Sequence, residues 1–325
     1  MMKTGLIALS AFLVFFGSFI QVQAADISFP TKAIEVYVGF TPGGGTDLGA
    51  RLVAEKVKPI LGQEIVVVNK PGGAGVAAAI MISQAKPDGY LLGATTDSPY
   101  AFIPIMEKVP FTHEDFTFLC QYGILQFGLV VKNESPYRDF KSLIQYAREN
   151  PEKLTVGTIG MNAEPTMAVV AALKQENVKV KWVPFQGASD LITALMGGHV
   201  MVADLGVSGW AQHYRAKTVR VLVMFGDTRS DDYPEIPCLK EMGYQFSFSS
   251  SYVFVGPKNM DKSVRDKLAD AFFKGTQTPE WESFTKKLSL WTASPMLHGD
   301  KLTEAITQKY KKLSAVVKEL GLGPK

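Results

Sequence analysis

The chain has 325 residues, 46% of them hydrophobic and 20% charged, an ordinary globular balance with apolar material for two cores that excludes a disordered chain. Its formal charge of +3 is spread without a dense Lys/Arg block, so no surface that tracks nucleic-acid phosphates is expected. A local anion site is compatible with that balance.

At the N-terminus, Met1-Met2-Lys3-Thr4 is a short basic start before an apolar run from Leu6 to Ile20, and Val22-Gln23-Ala24 fits a signal-peptidase site. Residues 1–24 therefore read as a cleavable signal peptide, with a mature chain beginning near Ala25. An uncleaved anchor is the alternative reading, for an apolar run that falls just short of a comfortable span. No later segment is apolar for long enough to cross a bilayer, so the mature protein is expected outside the cytoplasm in soluble form.

From there the pattern alternates short β-rich runs, small-residue turns and helix-period segments, which predicts α/β architecture with much parallel sheet. Ile34 to Val38 reads as a strand. After the turn Thr41 to Gly45, Leu48, Leu52, Val53, Val57 and Ile60 fall on one helical face, with Thr46 or Asp47 placed to cap the helix and Gly62 to stop it. Ile65 to Val68 and Leu91 to Thr95 are further strands, separated by a helix from Val76 to Gln84. The stretch through Phe102 and Met106 is ambiguous, and His113-Glu114-Asp115 reads as a surface turn. Around Phe127 to Val131 the pattern starts again, with strands at Leu154 to Val156, Trp182 to Pro184, Val200 to Ala203 and Val219 to Phe225. Helices are expected at Tyr137 to Arg148, Thr166 to Lys174 and Leu191 to Met196. A strand at Tyr252 to Val255 precedes helices near Val264 to Lys274, Glu280 to Leu288 and Leu302 to Leu320. Two similar units in sequence suggest two lobes.

Titratable residues offer little catalytic pattern. Cys120 and Cys238 read as buried small hydrophobes, with a disulfide as the less favoured alternative. His113, His199, His213 and His298 stand apart, without a nucleophile motif or the spacing of a metal site. Neither a metal nor a cofactor is expected, and an enzyme is disfavoured, leaving only metal-free acid/base work by Asp47, Asp97 and Asp204 as a remote alternative.

The strongest local signal is Phe40-Thr41-Pro42-Gly43-Gly44-Gly45-Thr46-Asp47, a glycine-rich turn between a strand and a helix. Glycines let backbone approach a ligand, and the first helical turn offers unpaired N–H groups and a positive dipole end, which together favour an anion. No Lys-Ser/Thr follows and the GxGxxG spacing is absent, so this is not a nucleotide loop. Such a turn alone is equally a tight connection, but it recurs: Pro71 to Gly75, Gly157 to Asn162 and Phe185 to Ser189 are further small-residue loops at strand ends, where ligands sit in open α/β sheets.

From about Phe29 to the C-terminus the chain resembles the extracytoplasmic solute receptors of tripartite tricarboxylate transporters, the Bug family. The resemblance is carried by Pro30-Thr31-Lys32-Ala33-Ile34, Thr41-Pro42-Gly43-Gly44-Gly45-Thr46-Asp47, Gly62-Gln63, Val66-Val67-Val68-Asn69-Lys70-Pro71-Gly72, Pro87-Asp88-Gly89-Tyr90, Val183-Pro184-Phe185-Gln186-Gly187 and Leu195-Met196-Gly197-Gly198-His199-Val200, in that order. It implies a two-lobed type II periplasmic-binding-protein fold with a ligand cleft between the lobes. On that pattern residues 25–126 with 250–325 form one lobe and 127–249 the other. It further implies a monomer that holds a small organic carboxylate through backbone amides, hydroxyls and water, and delivers it to integral-membrane transporter subunits. The carried-over site is Phe40, Thr41, Gly43, Gly44, Gly45, Thr46 and Asp47; Gly73, Ala74 and Gly75; Thr158, Ile159, Gly160, Met161 and Asn162; Phe185, Gln186, Gly187 and Ala188; and Asp204.

Three departures from the family pattern bear on specificity. After the third strand the chain reads Thr95-Thr96-Asp97, adding Thr96 and Asp97 to the candidates; Met161 stands where smaller residues are usual, and Thr158 where the family pattern leads one to expect Ser. Asp97 is either a surface turn acid or a cleft group that accepts from a ligand hydroxyl or ammonium; Asp204 is either a ligand contact or a local backbone cap. A carboxylate-sensing partner of a membrane sensor kinase uses the same capture fold and is the alternative function.

Overall fold

The structure, a computed structural model, describes residues 29–161, 163–185, 187–226, 228–244, 248–288, 290, 296–319 and 321–322. The expected signal peptide therefore lies outside the described residues. In chain order the elements are β1 (Ile34–Val38), α1 (Gly45–Leu61), β2 (Ile65–Asn69), α2 (Val76–Ser83), β3 (Leu91–Thr96), α3 (Ser98–Ala101), α4 (Ile103–Met106), β4 (Phe116–Leu125) and β5 (Phe127–Lys132). These are followed by α5 (Phe140–Glu149), β6 (Thr155–Thr158), α6 (Glu164–Gln175), β7 (Lys181–Pro184), α7 (Ala188–Met196), β8 (Val202–Gly206), α8 (Val207–Arg215) and β9 (Val219–Met224). The chain closes with β10 (Ser250–Pro257), α9 (Lys262–Gly275), α10 (Pro279–Leu288) and α11 (Gly299–Glu319).

The strands form two 5-stranded sheets of the same design, β2-β1-β3-β10-β4 and β7-β6-β8-β5-β9. In the first, β1 runs parallel to β2 and β3, and β10 returns antiparallel between β3 and β4. In the second, β6 runs parallel to β7 and β8, and β5 is the antiparallel insert beside β8 and β9. Each sheet thus takes its antiparallel strand from a chain segment that has just arrived from the other.

Burial explains the parallel strands: Ile34, Val36 and Val38 are fully buried in a core with Leu92, Phe254, Leu268 and Phe272. Leu129, Val131, Phe140, Leu143, Val156, Val202 and Leu222 form the corresponding core of the second lobe. Helix α1 packs through Ala50, Val53, Ala54, Val57 and Leu61, one step round from the face expected, so that Leu48 and Ile60 are exposed. Its N-cap is Gly44, not Thr46 or Asp47, while Gly62 closes it at a left-handed φ of 69°, as its missing Cβ allows. His113 lies in a short 3-10 turn, but its ring is buried and stacks on Tyr310 rather than facing solvent. Both cysteines are buried, and no disulfide joins them.

Register decides how the sheets face each other. Leu125 at the end of β4 pairs with Ser250 at the start of β10, beside Thr96 at the end of β3. Phe127, opening β5, pairs with Gly206 at the end of β8. The crossings from β4 to β5 and from β9 to β10 therefore join the edge where β1 and β3 end to the edge where β6 and β8 end. Helix α11 also spans the junction: Leu302 and Ile306 pack in the first lobe, Leu313 and Val317 in the second.

Candidate functional site

The C-terminal edges of the two parallel strand sets are the edges that meet, and every loop singled out above lies on one of them. In the first lobe, Thr41, Gly43 and Gly44 are exposed while Thr46 and Asp47 are buried beneath them. The Asp47 carboxylate shapes this loop from below. Its Oδ2 accepts from the Gly43 amide at 2.9 Å, and its Oδ1 accepts from Arg51 Nε at 3.0 Å and Asn69 Nδ2 at 2.9 Å. Asn69 also donates to the Phe40 carbonyl at 3.0 Å, fixing the start of the loop. Burial opposes ionisation of Asp47, but Arg51, the Gly43 amide and Asn69 together outweigh it and hold the carboxyl below its ordinary range. Asp47, expected among the ligand contacts, has both oxygens occupied by the protein's own donors.

The second loop lies against the first. Gly75 has φ of 98°, and a Cβ there would stand 2.7 Å from Thr95 Oγ1 and 2.9 Å from Pro99 Cγ; a Cβ on Gly39 would stand 3.1 Å from the same hydroxyl. Gly73 and Ala74 are exposed beside them. Thr95 Oγ1 is buried with no partner within the protein, a polar atom held in the angle between two glycine loops. The sequence reading singled out Thr96 and passed over Thr95; the alternation of the strand, which sends neighbouring side chains to opposite faces, was the signal available.

In the second lobe, Thr158 ends β6 and Ile159, Gly160 and Met161 follow it, while Phe185, Gly187 and Ala188 follow its parallel neighbour β7. Asn162 and Gln186 lie outside the described residues. Ile159 and Met161 are exposed at 37% and 40%, unusual for side chains of this size. Asp204 on β8 is fully buried below this loop: its Oδ2 lies 2.9 Å from the Thr166 hydroxyl, and its Oδ1 has no hydrogen-bond partner. Burial dominates its titration and pushes its pKa up to about 7, against the opposing hydrogen bonds from Thr166, Thr158 and the Ile159 amide.

Asp97 belongs elsewhere. It is 1% exposed; its Oδ1 accepts from the Ser250 hydroxyl and the Ser251 amide, both at 3.0 Å, and its Oδ2 from Lys309 at 3.0 Å. The surface-turn reading is thereby overturned, and the ammonium it meets comes from α11 rather than from a ligand.

The helices that open on this edge differ from those at the far edges. Helices α1, α6 and α7 begin after Gly44, Ala163 and Gly187, none of which supplies a side-chain cap. The far-edge helices α5 and α9 are capped by Asp139 and Asp261, which accept from Ser142 and Ser263 amides at 2.7 and 2.8 Å. Helix N-termini without a side-chain cap therefore lie on the meeting edges of both lobes, beside loops that contain no Lys or Arg, and such ends attract an anion without a formal counter-charge.

Comparison with known proteins agrees with this geometry. The family model described as "Tripartite tricarboxylate transporter family receptor" matches residues 49–322. The UPF0065 protein in the gbd 5' region of Cupriavidus necator is 33% identical over 303 residues, covering 92% of this chain and 91% of that protein. The periplasmic binding protein BugD superposes with a TM-score of 0.77 at 22% identity, over 91% of this chain and 100% of that one. An R. palustris protein solved with adipate superposes with a TM-score of 0.78 at 20% identity, again over 91% of this chain and 100% of its own.

Proposed function

Because the chain belongs to the tripartite tricarboxylate transporter receptor family, a family of receptors rather than enzymes, we propose that it captures a small organic carboxylate between its lobes and hands it to membrane-embedded transporter subunits. The observation that carries this reading is the contrast in capping. Helices α5 and α9, which begin at the far edges, are closed by aspartates, whereas α1, α6 and α7, which begin at the edges that meet, carry no side-chain cap. A carboxylate supplies what those N–H groups lack, and it needs no cation from the loops. The neighbour of the same fold that was solved with adipate supports a carboxylate as the class of ligand.

In this reading Thr41 and Gly43 to Thr46, with Gly73 to Gly75, present amides and hydroxyls from one side. Thr158 to Asn162 and Phe185 to Ala188 close from the other, with Asp204 beneath them. In this reading residues 1–24 serve as an export leader and the receptor works outside the cytoplasm; among the described residues no helix is long and apolar enough to cross a membrane.

The test is a thermal-shift screen of the chain from Ala25 onward against mono-, di- and tricarboxylic acids. A ligand present at a hundred times its Kd raises stability by about 2.7 kcal/mol. A screen in which no carboxylate stabilises the protein, or in which one is chemically consumed, removes the proposal.

A further inference from the structure

Lys309 lies midway along α11, between the residues packed in the first lobe and those packed in the second. Its ammonium is 3.0 Å from Asp97 Oδ2 and 2.7 Å from Glu164 Oε1, and it also donates to the Ser249 carbonyl. The Glu164 contact is an ion pair off the hydrogen-bond axis, since neither Glu164 oxygen has an aligned donor. Asp97 and Glu164 are 1% and 2% exposed and Lys309 keeps 19%, so this is a largely desolvated triad with one cation between two acids.

Each acid is joined through the chain to the loops of one lobe. Asp97 directly follows Thr95 and Thr96, and the Thr95 hydroxyl abuts Gly39 and Gly75. Glu164 is the first residue of α6, whose Thr166 reaches Asp204 and the Gly160 carbonyl. We propose that Lys309 is a positioning residue for ligand capture: holding Asp97 of one lobe and Glu164 of the other, it fixes how the two half-sites face each other. The proposal rests on the reading of the cleft as the ligand site, but its test reads the lobes themselves, so the two fail separately.

Charge balance gives the triad a signature that plain packing lacks. With both acids ionised the buried cluster carries one uncompensated negative charge, a state costly in a low-dielectric interior. With one proton taken up it is neutral. The charged groups that face Glu164 are Lys309 and Asp97, with the Ser250 hydroxyl beside them; Asp204, the other acid near α6, is turned to Thr166. Burial pushes the Glu164 pKa up to about 7, Asp97 adding to the rise and Lys309 opposing it. For Lys309, burial works against the charge, but the two acids outweigh it and raise its pKa. Raising pH through neutrality therefore loads the triad with unbalanced charge and weakens its hold on this arrangement.

The experiment places spin labels on exposed sites of the two lobes, Lys86→Cys and Lys179→Cys, with buried Cys120 and Cys238 left in place. Inter-lobe distances are measured by double electron resonance at roughly pH 5.5 and roughly pH 8.5, either side of the titration. Expected is a distribution that broadens or shifts at the higher pH in the wild-type background, no such change in Glu164→Gln, and a displaced or broadened distribution at both values in Lys309→Met. Should Lys309→Met fail to fold, the isosteric Glu164→Gln still decides. A wild-type distribution indifferent to pH, or a pH response that survives in Glu164→Gln, overturns the proposal. Failure of carboxylates to bind in the screen above would instead remove the ligand reading and leave this one standing.

Discussion

The Thr166 hydroxyl stands 2.9 Å from Asp204 Oδ2 and 2.7 Å from the Gly160 carbonyl, and its single hydrogen cannot serve both. If Thr166 donates to Gly160, the contact with Asp204 needs the proton on the carboxyl, which agrees with a pKa raised by burial to about 7. A carboxyl whose folded pKa lies above its unfolded value binds more protons when folded, so its contribution to stability falls as pH rises between about 4 and about 7. The melting temperature is therefore expected to decline from mildly acid to mildly alkaline buffer, with a shallower decline in Asp204→Asn. Glu164 acts in the same direction, so Asp204→Asn with Glu164→Gln should give the flattest profile. A slope untouched by both changes would mean that neither acid is protonated in the fold.

Gly44→Asp separates stability from binding. Gly44 has φ of −75° and ψ of 165°, open to any residue, and a Cβ there meets nothing nearer than the Thr41 carbonyl at 3.7 Å. Aspartate is a favoured N-cap and its charge suits the helix end, so the variant should melt at an equal or higher temperature, gaining roughly 0.5 kcal/mol. The same carboxylate occupies the open end proposed for the ligand, and calorimetry should find binding abolished for whichever acid stabilises the wild type. Retained affinity would take α1 out of the site.

Asp47→Ala tests whether the first loop must be held in shape. The change removes the acceptor of the Gly43 amide and one partner each of Asn69 and Arg51, which keep their bonds to the Phe40 carbonyl and to each other. The lost hydrogen bonds to a buried charge should cost roughly 2 kcal/mol of unfolding free energy, with the exposed half of Arg51 discounted for solvent. Affinity should fall with it, although no Asp47 oxygen is left over for a ligand. Denaturant titration beside calorimetry reads both, and a variant that loses stability with full affinity would show that the loop shape is set elsewhere.

The parallel strands and the glycine turns were legible because apolar runs bounded by Gly and Pro leave a plain signal. Strand β4 was missed: Phe116 to Leu125 is buried almost throughout, so it has no alternation, and its one strongly polar side chain, Gln121, is satisfied by Leu297 and Ser251 from distant segments. Helix α8 was also missed, since Ser208, Gly209, His213 and Tyr214 are weak helix formers and tertiary packing of Val207, Trp210 and Ala211 holds it. The loops read as binding elements lie on the edges that meet, but the triad of Asp97, Lys309 and Glu164 was beyond reach. Lys309 lies in a run with Lys311 and Lys312 that reads as a solvated helix face, and its partner Asp97 is 212 residues away.

Thr95→Val asks what the orphan hydroxyl between Gly39 and Gly75 is for. Valine keeps the shape and the β-branching that suit β3, and it removes a buried oxygen that has no partner within the protein. In the ligand-free protein this should leave stability unchanged or raise it by about 1 kcal/mol, because an unsatisfied buried polar group is a cost. If the hydroxyl serves the ligand or a water that the ligand holds, affinity should fall about tenfold, or about 1.4 kcal/mol, in the same variant. Opposite signs on stability and binding separate a recognition group from a packing residue, for which both would move together. Unchanged affinity in Thr95→Val would return the site on this side to the backbone of the glycine loops alone.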